Sequence, residues 1–121
     1  MSRDAAILLV EIQEAGKDIL DHTHGMTLNG FLADRKTKQA VIRCLEVMGE
    51  AAKGLPPSIR EAHPEVPWKD LCGMRDVLIH QYFGIDENRL WMAVERSVPP
   101  LLTSISRIQR SLPACPTDSQ T

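Results

Sequence analysis

The stretch Ala40-Val41-Ile42-Arg43-Cys44-Leu45-Glu46-Val47-Met48-Gly49-Glu50-Ala51-Ala52-Lys53 decides the fold class. Val41, Leu45, Met48 and Ala52 recur at steps of three and four, which places them on one face of a helix. Cys44, Val47 and Ala51 widen that face. The helix is expected to begin near Phe31 or Asp34 and to end at Gly54, before Pro56–Pro57.

The same spacing extends in both directions. Upstream, Ala5, Leu8, Leu9, Ile12, Ala15 and Ile19 form one stripe of a helix over residues 2–21, with Ser2 as its N-cap. Thr23, Gly25 and Asn29–Gly30 interrupt it, and Thr27 can cap a short turn. Downstream, residues 58–63 can form one or two turns, capped by Ser58 and stopped by Pro64. Pro67 suits the first turn of a third helix over 68–82, which stops at Gly84. Asp86 caps a fourth over 87–97. Pro99–Pro100 are expected to break direction and start a last helix that runs to about residue 110. Val, Ile and Leu recur at three and four and not at two, so no strand is expected. Short connections between amphipathic helices predict an all-α, antiparallel bundle of four to five helices. It would occupy residues 1–111, followed by a polar, Pro-rich and disordered tail over 112–121.

Composition narrows the function. The chain has 121 residues, enough for one domain with a single core. Its apolar fraction of 43% is that of a folded protein, but aromatics are only 4%, so base-stacking platforms are not expected. A net charge of -2 and a pI near 6.1 argue against gripping long nucleic acid by phosphate neutralisation alone. A local basic cleft is still compatible with them, because field focusing depends on where charges sit. Cys44, Cys72 and Cys115 are odd in number and lack C-x-x-C spacing, so neither a disulfide framework nor a zinc site is expected, and a reducing cytoplasm fits. Asp4 and Glu11 flank the apolar run 5–10, unlike a secretory signal, and no stretch approaches the roughly 20 apolar residues of a membrane span.

One segment carries polar chemistry inside an apolar helix: Met74-Arg75-Asp76-Val77-Leu78-Ile79-His80-Gln81-Tyr82-Phe83-Gly84. At about 100° per residue, Arg75 and Tyr82 share a face, separated by about 20°. Asp76 and His80 lie about 40° apart, so Asp76 can accept a hydrogen bond from the His80 ring. Arg75 and His80 lie about 140° apart. An ideal single helix would not aim both at one small target. Either the helix unwinds near His80, or a twofold axis brings a second copy alongside to share one cleft; the second arrangement is the expected one.

RNA carries its own nucleophile, the 2′-OH, so its cleavage needs no metal in principle. It needs a group that moves protons near neutral pH, for which His80 is suited. It also needs a cation on the phosphoryl oxygens, for which the fork of Arg75 is suited. Tyr82 can donate a hydrogen bond to a phosphate or position the substrate. Residue types alone leave a structural reading open, with Arg75 paired to an acid and His80 to a backbone carbonyl.

The pattern R-x4-H-x-Y formed by Arg75, His80 and Tyr82 resembles the signature of HepT-like proteins of the HEPN-domain superfamily. The resemblance covers roughly residues 1–110. It is most specific over 40–102, through the helix block 40–53, the connector 63–68, the motif block 73–86, Leu90-Trp91 and Pro99-Pro100-Leu101-Leu102. It implies a helical bundle that dimerises through the motif helices, with Arg75 and His80 as the ribonuclease site. It further implies a toxin paired with a minimal nucleotidyltransferase antitoxin, which transfers AMP to Tyr82. Asp76 matches the family pattern after the Arg.

No cofactor or metal is expected. Glu46 and Glu50 share a helix face but lack further ligands at matching spacing, and His22 and His24 lack cysteine partners. Trp68 and Trp91 are expected as core anchors, and Arg35-Lys36-Thr37-Lys38 as a solvated face that can also attract RNA. Two further readings fit the same residues: a non-catalytic subunit that binds and regulates a nucleotidyltransferase partner, and a nucleotide-binding module that accepts AMP without cutting RNA.

Overall fold

The computed structural model describes residues 4–73 and 86–112. Helix α1 spans Ala5–Thr23, and its N-cap is Asp4, whose side chain accepts a hydrogen bond from the Ala6 amide at 3.0 Å. The expected cap, Ser2, lies outside the described residues. Leu8, Leu9, Ile12, Ala15, Gly16 and Ile19 form the buried stripe. At the far end the buried Thr23 hydroxyl donates to the Ile19 carbonyl at 2.8 Å. Gly25 then turns the chain in the left-handed region, at φ 76°.

Thr27 caps α2, Leu28–Ala33, by accepting from the Gly30 amide at 3.1 Å. Asn29 and Gly30, expected to interrupt, are inside this short helix. A cap donated three residues upstream outweighs their weak helix propensity over a single turn. Asp34 closes α2 and opens α3, Arg35–Gly54, by accepting from the Thr37 amide at 3.0 Å and the Thr37 hydroxyl at 2.8 Å. These contacts hold the Asp34 carboxyl below its ordinary pKa, the backbone amide contributing most. On α3 Val41, Leu45, Met48, Ala51 and Ala52 are buried as read from the sequence, Gly49 joins them, and Cys44 and Val47, expected to widen the face, are only half-buried.

Helix α4, Pro57–Ala62, starts with Pro57 in its first turn and has no side-chain cap, so Ser58 is inside the helix instead of capping it. Residues 68–73 are helical and are called α5. Helix α6, Glu87–Met92, is capped by Asp86, which accepts from the Asn88 amide at 3.0 Å.

Pro99–Pro100 start the last helix as expected, but the chain stays helical on the way into them. Helix α6 passes through a π segment, Ala93–Ser97, into α7, Val98–Ser111. In an unbroken α-helix, Pro99 and Pro100 would collide with the carbonyls of Glu95 and Arg96. The wider turn moves those carbonyls away, and the Val98 amide reaches back five residues to the Ala93 carbonyl. The two prolines then occupy the first turn of α7, where their lack of N–H costs little.

Helix α1 packs chiefly on α3 and then on α7. Leu8 near its start lies against Gly54 at the end of α3, while Asp18 near its end acts on Cys44. Gln13 donates to Ser106 at 2.9 Å, and Gly16, farther along, faces Leu102, nearer the start of α7. Both neighbours therefore run antiparallel to α1. The shared core includes Leu9, Ile12, Ile19, Phe31, Met48, Leu55, Ile105 and Ile108, all essentially inaccessible to solvent. Among the described residues every regular element is helical, as expected for an all-α antiparallel bundle. No described helix is long and apolar enough to cross a membrane.

Candidate functional site

Arg75, Asp76, His80 and Tyr82 fall within 74–85, outside the described residues. The geometry on either side of that stretch is defined. Before it, the Trp68 indole donates to the His63 carbonyl at 2.9 Å, and the Leu71 amide bonds the Pro67 carbonyl at 3.0 Å. Val66, Trp68 and Leu71 are buried in the shared core. Burying two large side chains and closing the indole hydrogen bond fixes the direction in which α5 leads into the motif.

After it, the Asp86 cap starts α6, and Leu90 and Trp91 are buried. Trp91 packs on Phe31 of α2 with ring centroids 5.0 Å apart and planes tilted by 41°. The Lys38 ammonium donates to the Leu32 carbonyl at 2.7 Å and to Glu87 at 3.0 Å, tying the ends of α2, α3 and α6 together. Both flanks of the motif are thus rooted in the bundle. Trp68 and Trp91 act as the core anchors expected of them.

The remaining candidates have plainer surroundings. Glu46 lies 3.7 Å from Arg43, one turn away. Glu50 is exposed and engaged in an interaction of its own. His22 and His24 are exposed. Among the described residues no three His, Cys, Asp or Glu side chains converge as a metal site would require. In the run 35–38, Arg35 and Lys36 are exposed, whereas Lys38 is committed to Leu32 and Glu87. Burial pushes the Cys44 thiol above its ordinary pKa, with a further push from Asp18, which disfavours a reactive thiolate.

One feature escaped the sequence. An open groove of about 630 Å³ lies between α4 and α5, lined by Arg60 and Glu61 on one side and by Trp68, Lys69 and Cys72 on the other. The Arg60 Nε is buried and has no hydrogen-bond partner among the described residues. Arg60 and Lys69 are nine positions apart on different helices, so no local spacing rule connects them.

Comparison with known proteins gives the chain relatives. Residues 12–108 match the family described as "Ribonuclease HepT-like". A Methanocaldococcus jannaschii protein named "Putative RNase MJ0127" is 44% identical over 110 residues, covering 91% of each chain. "Probable ribonuclease HepT" of Thermococcus cleftensis is 40% identical over 110 residues, 91% of this chain and 100% of that one. "Putative RNase TTE0752" of Caldanaerobacter subterraneus is 38% identical over 90 residues, 74% of this chain and 80% of that one. No solved structure matches the chain significantly. The family match spans α3, the motif stretch and most of α7, and the chain belongs to the HepT-like ribonuclease family.

Proposed function

We propose that this protein is a metal-independent endoribonuclease toxin that works as a homodimer in the cytoplasm and is neutralised by a minimal nucleotidyltransferase antitoxin. The observation that carries the reading is the family match across 12–108, which includes Arg75, His80 and Tyr82 in their R-x4-H-x-Y spacing. In the proposed reaction the substrate 2′-oxygen attacks the adjacent phosphorus, and its proton passes to a base. The P–O5′ bond breaks, an acid protonates the departing 5′-oxygen, and a 2′,3′-cyclic phosphate remains. His80 moves a proton near neutral pH, Asp76 orients its ring, and Arg75 stabilises the charge on the phosphoryl oxygens.

Tyr82 shapes the site and accepts AMP. Its oxygen attacks the α-phosphorus of ATP bound to the antitoxin, pyrophosphate leaves, and the phenolic proton is lost. The product adds bulk and negative charge where an RNA phosphate must sit, so substrate is excluded by volume and by like-charge repulsion. The core rooting of α5 and α6 supports the reading, because a site that stabilises developing charge needs donors held in advance.

The test is RNA cleavage in EDTA by purified wild type and His80→Ala, with folding checked by circular dichroism. Cleavage by wild type alone is expected. Cleavage by neither, from protein shown by mass to carry no AMP on Tyr82, would instead favour a subunit that only binds and regulates its partner.

A further inference from the structure

Arg60 sits in an unusual position for a cation. Its side chain lines an open groove, and its Nε is buried with no hydrogen-bond partner among the described residues. A buried guanidinium N–H without an acceptor is costly, and such a donor favours any acceptor that comes within its reach. The second cation of the groove is Lys69, on the exposed side of α5. Among the described lining residues these two stand against one carboxylate, Glu61, which makes that lining locally positive in a chain of net charge -2. Trp68 contributes an apolar wall, suited to the sugar edge of a nucleotide chain. Gly73, two residues before Arg75 in the sequence, also lines the groove.

We propose that the groove between α4 and α5 holds the phosphodiester backbone of single-stranded RNA, with Arg60 and Lys69 each facing a phosphate. This deepens the ribonuclease reading and rests on it for the identity of the ligand. Arg60 turns its unmet donor toward a phosphoryl oxygen, and Lys69 adds a mobile point charge at the rim. The groove lets the enzyme hold RNA despite its acid-leaning composition, because two cations focused in a concave wall act locally.

The test uses the full chain and a fluorescein-labelled 2′-O-methyl RNA dodecamer, read by anisotropy in EDTA. Without a free 2′-OH the probe binds but cannot be cut, so binding is measured apart from cleavage. Arg60→Gln/Lys69→Gln should bind about tenfold more weakly than wild type, the loss of two charge-assisted contacts in a wet groove. The slope of log affinity against log salt should fall by about 1.4, or about 0.7 per phosphate released. Glu61→Gln should bind more tightly, and Lys17→Gln, on the exposed side of α1, should change affinity less than about twofold.

Wild-type affinity and slope in the double variant would overturn the proposal. So would an equal loss in Lys17→Gln, which means diffuse attraction, or no binding by wild type at all. Should the double variant fail to fold, Lys69→Gln decides alone, since Lys69 is exposed. RNA binding that depends on the groove, without cleavage of ordinary RNA, would keep this proposal and sink the nuclease.

Discussion

Gly16 shows how tightly a single residue can be held. It lies on the buried stripe of α1, and a Cβ placed there would run into the Cδ2 and Cγ atoms of Leu102 on α7. Gly16→Ala gains about 1 kcal/mol of helix propensity but incurs overpacking of about 1–3 kcal/mol. Net destabilisation of about 1 kcal/mol is therefore expected in urea unfolding. Leu102→Ala should reverse the sign, since the new methyl then fills space that the leucine occupied; an absence of coupling in the double-mutant cycle would mean Leu102 simply swings aside. Asp34 makes a pH-dependent prediction. Its carboxyl pKa is lowered in the folded protein from 3.8, so its contribution is present above that value and is lost as pH falls through the lower, folded one. The melting temperature of Asp34→Ala should lie below that of wild type at pH 6, and the gap should close as pH drops well below 3.8. A gap constant with pH would assign the loss to the helix start alone. The candidate site residues could be named at this scale because Arg75, Asp76, His80 and Tyr82 fall on one short stretch, which lies outside the described residues. Arg60 was not, because it gains its meaning only from a groove that two helices build together.

Helices whose punctuation is local were readable from the sequence. Thr27 and Asp86, read as caps, each accept an amide hydrogen bond within three residues, and periodicity gives most of the buried face of α3. Punctuation that depends on packing was not readable. Pro99–Pro100 read as a break because a proline pair cannot continue an ideal α-helix, yet the π segment absorbs both, and Val94, Val98 and Leu102 stay buried along one continuous element. Asn29–Gly30 read as an interruption, yet α2 persists because Phe31 is fully buried against Trp91. That contact joins α2 to the helix leaving the motif. Phe31→Ala should therefore cost about 3–5 kcal/mol, a large share of the roughly 5–15 kcal/mol that holds a domain together. The denaturant midpoint should fall steeply. A loss below about 1 kcal/mol would show that α2 is a peripheral turn and does not clamp α6.

At the scale of the whole molecule, α1 packs on two antiparallel neighbours, and α5 and α6, which precede and follow the motif in the sequence, are each fixed to that core. Rigid flanks suit a site completed by a second copy, because a shared cleft needs both halves presented at a set angle. The proposed dimer can be tested through the angle of about 140° that an ideal helix puts between Arg75 and His80. If one cleft draws Arg75 from one protomer and His80 from its partner, Arg75→Ala and His80→Ala are each inactive alone but complementary together. Unfolded in urea, mixed equally and refolded, they should form about half heterodimers, each with one intact site of two. About a quarter of wild-type RNA cleavage should then return, and it should depend on the mixing ratio. Mixing without refolding should restore activity only as fast as protomers exchange. If heterodimers form by native mass measurement and no activity returns, each chain must carry its own Arg75–His80 pair. The helix would then have to unwind near His80 to bring the two side chains together, and the dimer would serve the fold without building the site.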